Sequence, residues 1–378
     1  MKRFGVWLMV ILMLVSTVPM ASAAESTAKG AILIDGTTGT VLAEHNAHQA
    51  LPPASVTKVM TMLLVMEALD SGRIGWDDPV TASEAAAGKG GSQIYLKVGE
   101  TMTVTELLKS VAVSSANDAA CALAEYVAGS EAAFVEQMNV RAKELGMEST
   151  HFVNCTGLDD DPEAKKHLTS AYDIALMSRE LLMHHPDIQK FTTIWMDTVR
   201  DGTFGLANTN KLVRFYPGCI GLKTGYTSGS GFSLSAAAQR DGMTLIAVVL
   251  GCESSADRFA TCKGLLDRGF ASYALIDPKL EPMSVPVVLG KAGQVAVELS
   301  GEGAMLIDKG QVNTVRYQTQ LEESVTAPVS KGQRLGTMTV YAGEQVLAQL
   351  PLVAAEPVER QGFWDIFRNV LKKVCFAG

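Results

Sequence analysis

The apolar pattern between residues 30 and 271 changes period twice. Ala31 to Asp35 is a short apolar run, Gly36 to Gly39 a turn, and Thr40 to Glu44 a second run able to pair back, which predicts a hairpin. Pro52-Pro53 then stops the chain, and a helix is expected from near Ser55. Thr103 with Glu106 three residues later is a capping-box signature for a helix running to about Val113. Asn117-Asp118 is placed to cap a further helix ending near Gly129. Helical spacing also covers Ala132 to Leu145 and Ser170 to His184. Strands return at Gly221 to Tyr226, Phe232 to Gln239 and Met243 to Leu250, the last two joined by Arg240-Asp241-Gly242. Ser255 to Ala271 reads as a closing helix. Strands, then helices, then strands imply an α+β unit: an antiparallel sheet flanked by helices and closed by both ends of the segment.

The flanks read differently. Lys2 and Arg3, the apolar run Phe4 to Val18, Pro19 and Ala21-Ser22-Ala23 form a signal peptide, with cleavage expected after Ala23. Residues 24–275 form the main domain and 276–355 a small β domain of short Val-rich strands broken by Gly. These include Pro286 to Leu289, Val295 to Leu299 and Thr337 to Tyr341. Residues 356–378 form a tail in which Phe363, Phe367, Val370, Leu371 and Val374 share one helical face, with Ile366 beside them. Asp365, Arg368, Asn369, Lys372 and Lys373 lie elsewhere around the helix. A terminal helix of this kind is expected to lie in a membrane interface, the alternative being a helix docked on the β domain.

Composition narrows the function. A net charge of −8 argues against nucleic acid as a partner. The six histidines form neither HExxH nor HxxEH, and no metal or organic cofactor is implied. The six cysteines are scattered, with no CxxC. They read as buried thiols, although a pair among Cys219, Cys252 and Cys262 stays open.

Three short motifs carry chemistry. Ser55-Val56-Thr57-Lys58 sets a hydroxyl and an amine one helical turn apart, at a helix N-terminus whose free N–H groups favour a developing oxyanion. Burial or a neighbouring cation can turn such a lysine into a base. Ser26-Thr27-Ala28-Lys29 has the same spacing in a poor context, so the pattern alone is weak. Ser115-Ala116-Asn117, between two expected helices, offers a hydroxyl for proton relay and an amide for a substrate carbonyl. Lys223-Thr224-Gly225, on a strand, offers Lys223 and Thr224 to a carboxylate. Gly225 there leaves room for a substrate aligned along the strand. The charge on Lys223 would also help keep Lys58 neutral.

These motifs, in this order, resemble those of serine penicillin-binding proteins and β-lactamases. Their surroundings (Ala54 to Lys58, Asn154 to Leu158, Asn208 to Leu212 and Gly221 to Thr227) look like low-molecular-mass D-alanyl-D-alanine carboxypeptidases. The resemblance covers about residues 25 to 353. It implies a β-lactamase/transpeptidase-like fold and a substrate of peptidoglycan stem peptides ending in D-Ala-D-Ala. It also implies acylation by β-lactam antibiotics, and an exported enzyme at the outer face of the cytoplasmic membrane or secreted. It implies that Ser55 attacks and is acylated, that Lys58 takes its proton, that Ser115 relays a proton to the leaving D-alanine and that Asn117 holds the substrate amide. Lys223, Thr224 and Thr227 would bind the terminal carboxylate, with Arg258 in support or else in a surface salt bridge. The backbone N–H groups of Ser55 and Tyr226 would form the oxyanion hole. Some relatives have His where this chain has Tyr226, a change that leaves a backbone role intact.

The nearest rival is a class A-like β-lactamase, which needs a deacylating Glu; no Glu-x-x-Leu-Asn lies between Asn117 and Lys223. An endopeptidase or transpeptidase of the same fold is a second rival, and a non-catalytic penicillin-binding scaffold a third.

Overall fold

The computed structural model describes residues 26–160, 162–301 and 303–368. The expected signal peptide and the last ten residues of the tail lie outside them. The described chain forms two compact units, the first ending at Ala271.

The first unit is built on five antiparallel strands: β1 (Gly30–Asp35), β2 (Val41–His45), β3 (Cys219–Thr227), β4 (Gly231–Arg240) and β5 (Met243–Cys252). Their spatial order is β2-β1-β5-β4-β3. The two ends of the segment therefore close one sheet, with Ala31 opposite Val249 and Leu33 opposite Ala247. Both faces of β1 are buried, and alternation divides them. Ile32 and Ile34 join Ile246 and Val248 in the helical core. A Cβ placed at Gly269 would strike Leu33 and Leu245, so the closing helix approaches the other face there without a side chain.

Six helices of more than two turns follow the expected positions: α1 (Lys58–Asp70), α2 (Val104–Ser114), α3 (Asn117–Ala128), α4 (Glu131–Glu144), α5 (Ala171–His184) and α6 (Ser255–Ser272). The Thr103–Glu106 capping box is present in both directions. Asp241 (φ 50°) and Gly242 (φ 78°) make the tight turn between β4 and β5. Two expectations change. The helix near Ser55 opens as a 3₁₀ turn, Ala54–Thr57, before α1 begins. Asn117 and Asp118 do not cap α3, which starts after Ala116 without a side-chain cap. The buried Asp118 carboxylate instead accepts from the N–H groups of Ile94, Leu96 and Ala119, and so ties down the loop before α2. The antiparallel pair Pro79–Thr81 with Thr101–Thr103, and the short hairpin Met196–Val199 with Phe204–Ala207, have no clear sequence signal.

Helix α1 is apolar on every side and buried from Lys58 to Met66, as suits a helix surrounded by others. One ion network ties its far end to its neighbours. Arg141 on α4 bonds Glu67 on α1 (2.7 Å) and Glu180 on α5 (2.6 Å).

The second unit holds a six-stranded sheet and a two-stranded one. Its core gathers Val285, Val295, Leu335, Leu352 and Val358. Cys219, Cys252 and Cys262 are free thiols, as are Cys121 and Cys155.

Arg141→Ala leaves two half-buried carboxylates without their cation. It should lower stability by about 1–3 kcal/mol in urea unfolding. A loss below about 0.5 kcal/mol would class the network with ordinary surface pairs.

Candidate active site

Ser55 sits in the 3₁₀ turn that runs straight into α1. Ala54 before it has a left-handed backbone (φ 49°), a conformation that costs a non-glycine residue roughly 1 kcal/mol or more. Its carbonyl is held from two sides. The Thr57 hydroxyl donates to it at 2.8 Å. Gly157 packs so close that a Cβ there would lie 1.9 Å from the same oxygen.

The three-residue spacing brings Lys58 Nζ within 2.9 Å of Ser55 Oγ. Lys58 is completely buried, and its Nζ also donates to the Thr156 carbonyl at 2.8 Å. That carbonyl belongs to a loop fixed by Asn154. Its Oδ1 accepts from the N–H groups of Thr156 (3.1 Å) and Gly157 (2.6 Å), and its Nδ2 donates to the Leu158 carbonyl (3.0 Å). Burial brings the Lys58 ammonium down to about 7, against a smaller upward pull from Cys155 and Asp118.

Strand β3 brings the second lysine. Lys223 is also completely buried, and its Nζ donates to the Thr224 carbonyl at 2.8 Å. Burial pushes it well below the ordinary lysine range, and repulsion from Lys58 and Arg258 acts in the same direction. Lys58 thus owes its shift chiefly to burial, the first of the two causes that the sequence allows.

Gly225 has a more local reason than room for substrate. A Cβ there would meet the Pro53 carbonyl at 2.6 Å and Val56 Cγ2 at 3.0 Å. Only a residue without a side chain lets β3 run against the serine turn. Arg258 braces the same point from α6. Its guanidinium donates to the carbonyls of Gly225 (2.9 Å) and Ser233 (3.3 Å) and lies over the rings of Phe232 and Phe259. Among the described residues it has no ion pair, so it supports the strand rather than a surface bridge.

The remaining sequence-predicted residues line up unevenly. The Thr224 hydroxyl donates to Thr209 Oγ1 at 2.7 Å. Thr227 is engaged by Ser230 in the turn after β3. Tyr226 is 55% exposed and stacks on Phe232 at 4.2 Å, so its ring faces solvent while its backbone stays in the strand. Ser115 is nearly buried in the α2–α3 connection, with φ 66°. Its hydroxyl has no hydrogen-bond partner among the described residues. Asn117 donates its side-chain amide to the Gly90 carbonyl (2.7 Å), and its buried Oδ1 has no partner among the described residues. An unmet buried acceptor costs free energy unless something else fills it.

Sequence reasoning gives no role to Thr57, Asn154, Thr156, His167 or Thr209. Four of the five lie in the segments that carry the resemblance; His167 has no signal.

Gly225→Ala should fold but push β3 off the serine turn. Acylation by a β-lactam should fall by roughly 100-fold, the scale of an ångström-level misplacement. A folded variant acylated at the parental rate would contradict the close-approach argument.

Residues 17–254 match the family model described as D-alanyl-D-alanine carboxypeptidase. Residues 270–360 match the model of the penicillin-binding protein 5 C-terminal domain. D-alanyl-D-alanine carboxypeptidase DacF of Bacillus subtilis is 42% identical, over 98% of each chain. The structure of penicillin-binding protein 5 from Haemophilus influenzae superposes with a TM-score of 0.76 at 30% identity, covering 90% of this chain and 99% of that one. Ampicillin-bound penicillin-binding protein D2 from Listeria monocytogenes matches with a TM-score of 0.60 at 32% identity, covering 66% of this chain and 100% of that one.

Proposed function

The chain belongs to the D-alanyl-D-alanine carboxypeptidase family, and we propose that Ser55 is the nucleophile of its reaction. It is a serine-type carboxypeptidase acting in peptidoglycan maturation, on stem peptides that end in D-Ala-D-Ala. The observation that carries the assignment is the 2.9 Å pair of Ser55 and Lys58, with the lysine buried and brought to about 7.

In this reading a neutral Lys58 gives one N–H to the Thr156 carbonyl and turns its lone pair to Ser55. Ser55 Oγ attacks the carbonyl between the two D-alanines, and its proton passes to Lys58. The N–H groups of Ser55 and Tyr226 receive the oxyanion. The C–N bond then breaks, Ser115 relays a proton to the departing amine, and Asn117 holds the peptide amide. The free Asn117 Oδ1 suits a substrate N–H. Lys223, Thr224 and Thr227 take the terminal carboxylate. That negative charge restores the proton affinity which burial removes from Lys223. Water then attacks the acyl-enzyme, with Lys58 again accepting the proton, and releases the shortened peptide. Benzylpenicillin should therefore give a one-to-one adduct on Ser55, and a D-Ala-D-Ala pentapeptide should release D-alanine. Both should vanish in Ser55→Ala. An adduct of equal yield in that variant, read by intact mass, would overturn the assignment.

The enzyme works where peptidoglycan is, outside the cytoplasmic membrane; cleavage after Ala23 would deliver it there. No helix among the described residues is long and apolar enough to cross a membrane. The tail supports a surface attachment instead. Residues 363–368 are helical, and Phe363, Trp364 and Phe367 pack ring to ring while remaining 73%, 71% and 49% exposed. Three exposed aromatics on one short helix suit the headgroup boundary of a bilayer. Cutting the chain after Gly362 spares Val358, which is buried in the second unit. That shortened protein, and Phe363→Ala/Trp364→Ala/Phe367→Ala, should lose binding to phosphatidylglycerol vesicles. Sedimentation with vesicles equal to that of the full chain would contradict the attachment.

A further inference from the structure

His167 lies outside the three motifs, yet it is almost completely buried and connected to the serine turn. Its Nε2 lies 2.8 Å from Thr57 Oγ1, and its Nδ1 lies 3.1 Å from the backbone N–H of Val153. A backbone N–H can only donate, so Nδ1 accepts and the imidazole proton sits on Nε2. Nε2–H therefore donates to the Thr57 oxygen, which leaves the Thr57 proton free for the Ala54 carbonyl at 2.8 Å. The ring is also set edge-on against Phe152, with centroids 5.6 Å apart. Burial, with His151 and Lys58 nearby, brings His167 down to about 4, so it stays neutral where the enzyme works.

The chain Val153–His167–Thr57–Ala54 thus has one consistent direction of donation. It ends on the carbonyl of a residue held at φ 49°, directly before Ser55. We propose that His167 is a positioning residue for the nucleophile: through the Thr57 hydroxyl it fixes the strained Ala54 carbonyl, and with it the turn that presents Ser55. This rests on Ser55 being the nucleophile. Without the imidazole donor the Thr57 hydroxyl is free to rotate, and the Ala54 peptide can relax away from its left-handed conformation. The Ser55 N–H and Oγ then lose their fixed aim, while the carboxylate side of the site, on β3, is untouched. The effect is therefore expected in the acylation step and not in the affinity that precedes it.

The test uses the full chain and benzylpenicillin, with stopped-flow kinetics separating the noncovalent binding constant from the acylation rate. Thr57→Val and His167→Ala should each slow acylation by about 10- to 100-fold, with binding little changed. The double variant should be no slower than the slower single one, because both remove one connection. Thr57→Ser keeps the hydroxyl and should recover most of the rate. Circular dichroism and thermal unfolding establish that each variant is folded. Parental acylation in folded His167→Ala, or losses that multiply in the double variant, would overturn the proposal. Should His167→Ala fail to fold, parental acylation in Thr57→Val would overturn it alone. Ser55→Ala is measured alongside. Its acylation would refute the nucleophile assignment, an outcome distinct from failure of the positioning role.

Discussion

The site depends on keeping one amine away from water. Lys58 has no exposed surface, and among the described residues its amine bonds a serine hydroxyl and a backbone carbonyl but no carboxylate. Burial therefore lowers its proton affinity from the ordinary 10.5 to about 7. This is a standing cost to the fold. The unfolded chain binds the proton more tightly, so stability falls as pH drops from 10.5 to about 7 and stays reduced below that. The loss is on the order of 5 kcal/mol. The rest of the unit offsets it: the buried apolar side chains of α1, the sheet, and the Arg141 network at the far end of the helix.

Around that amine, three backbone segments converge with little side chain between them. The loop at 154–158 supplies the Thr156 carbonyl and presses Gly157 onto Ala54. Strand β3 presses Gly225 onto Pro53 and Val56. The serine turn lies between them, held in a conformation it would not adopt alone. Asn154, Arg258, Thr57 and His167 do no bond-breaking chemistry in this arrangement. Each holds a carbonyl or a turn in place, so that the reacting groups need not reorganise.

Much of the fold is legible in the sequence because it follows local rules. The capping box, the Asp241-Gly242 turn and the apolar runs of β4 and β5 each show in a few residues. Ser55 and Lys58 are legible because a three-residue spacing on a helical turn dictates their contact. Asp118 misleads for the opposite reason. A local cap is the cheap inference, whereas its actual partners, Ile94 and Leu96, lie more than twenty residues away. Gly225 stands out in the sequence for the substrate's sake, but its backbone neighbours at Pro53 and Val56 come from a distant strand-to-turn contact. His167 is invisible, since a single histidine among polar residues shows nothing until folding places it on Thr57, 110 positions away.

Burial beside Ser55 brings Lys58 down to about 7, so that about half of it is neutral at pH 7. An NMR titration of the protein with labelled lysine side chains reads that midpoint, the Lys58 signal being assigned by its loss in Lys58→Met. Lys58 should titrate with a midpoint near 7; a midpoint near the ordinary 10.5 would mean that burial does not tune it.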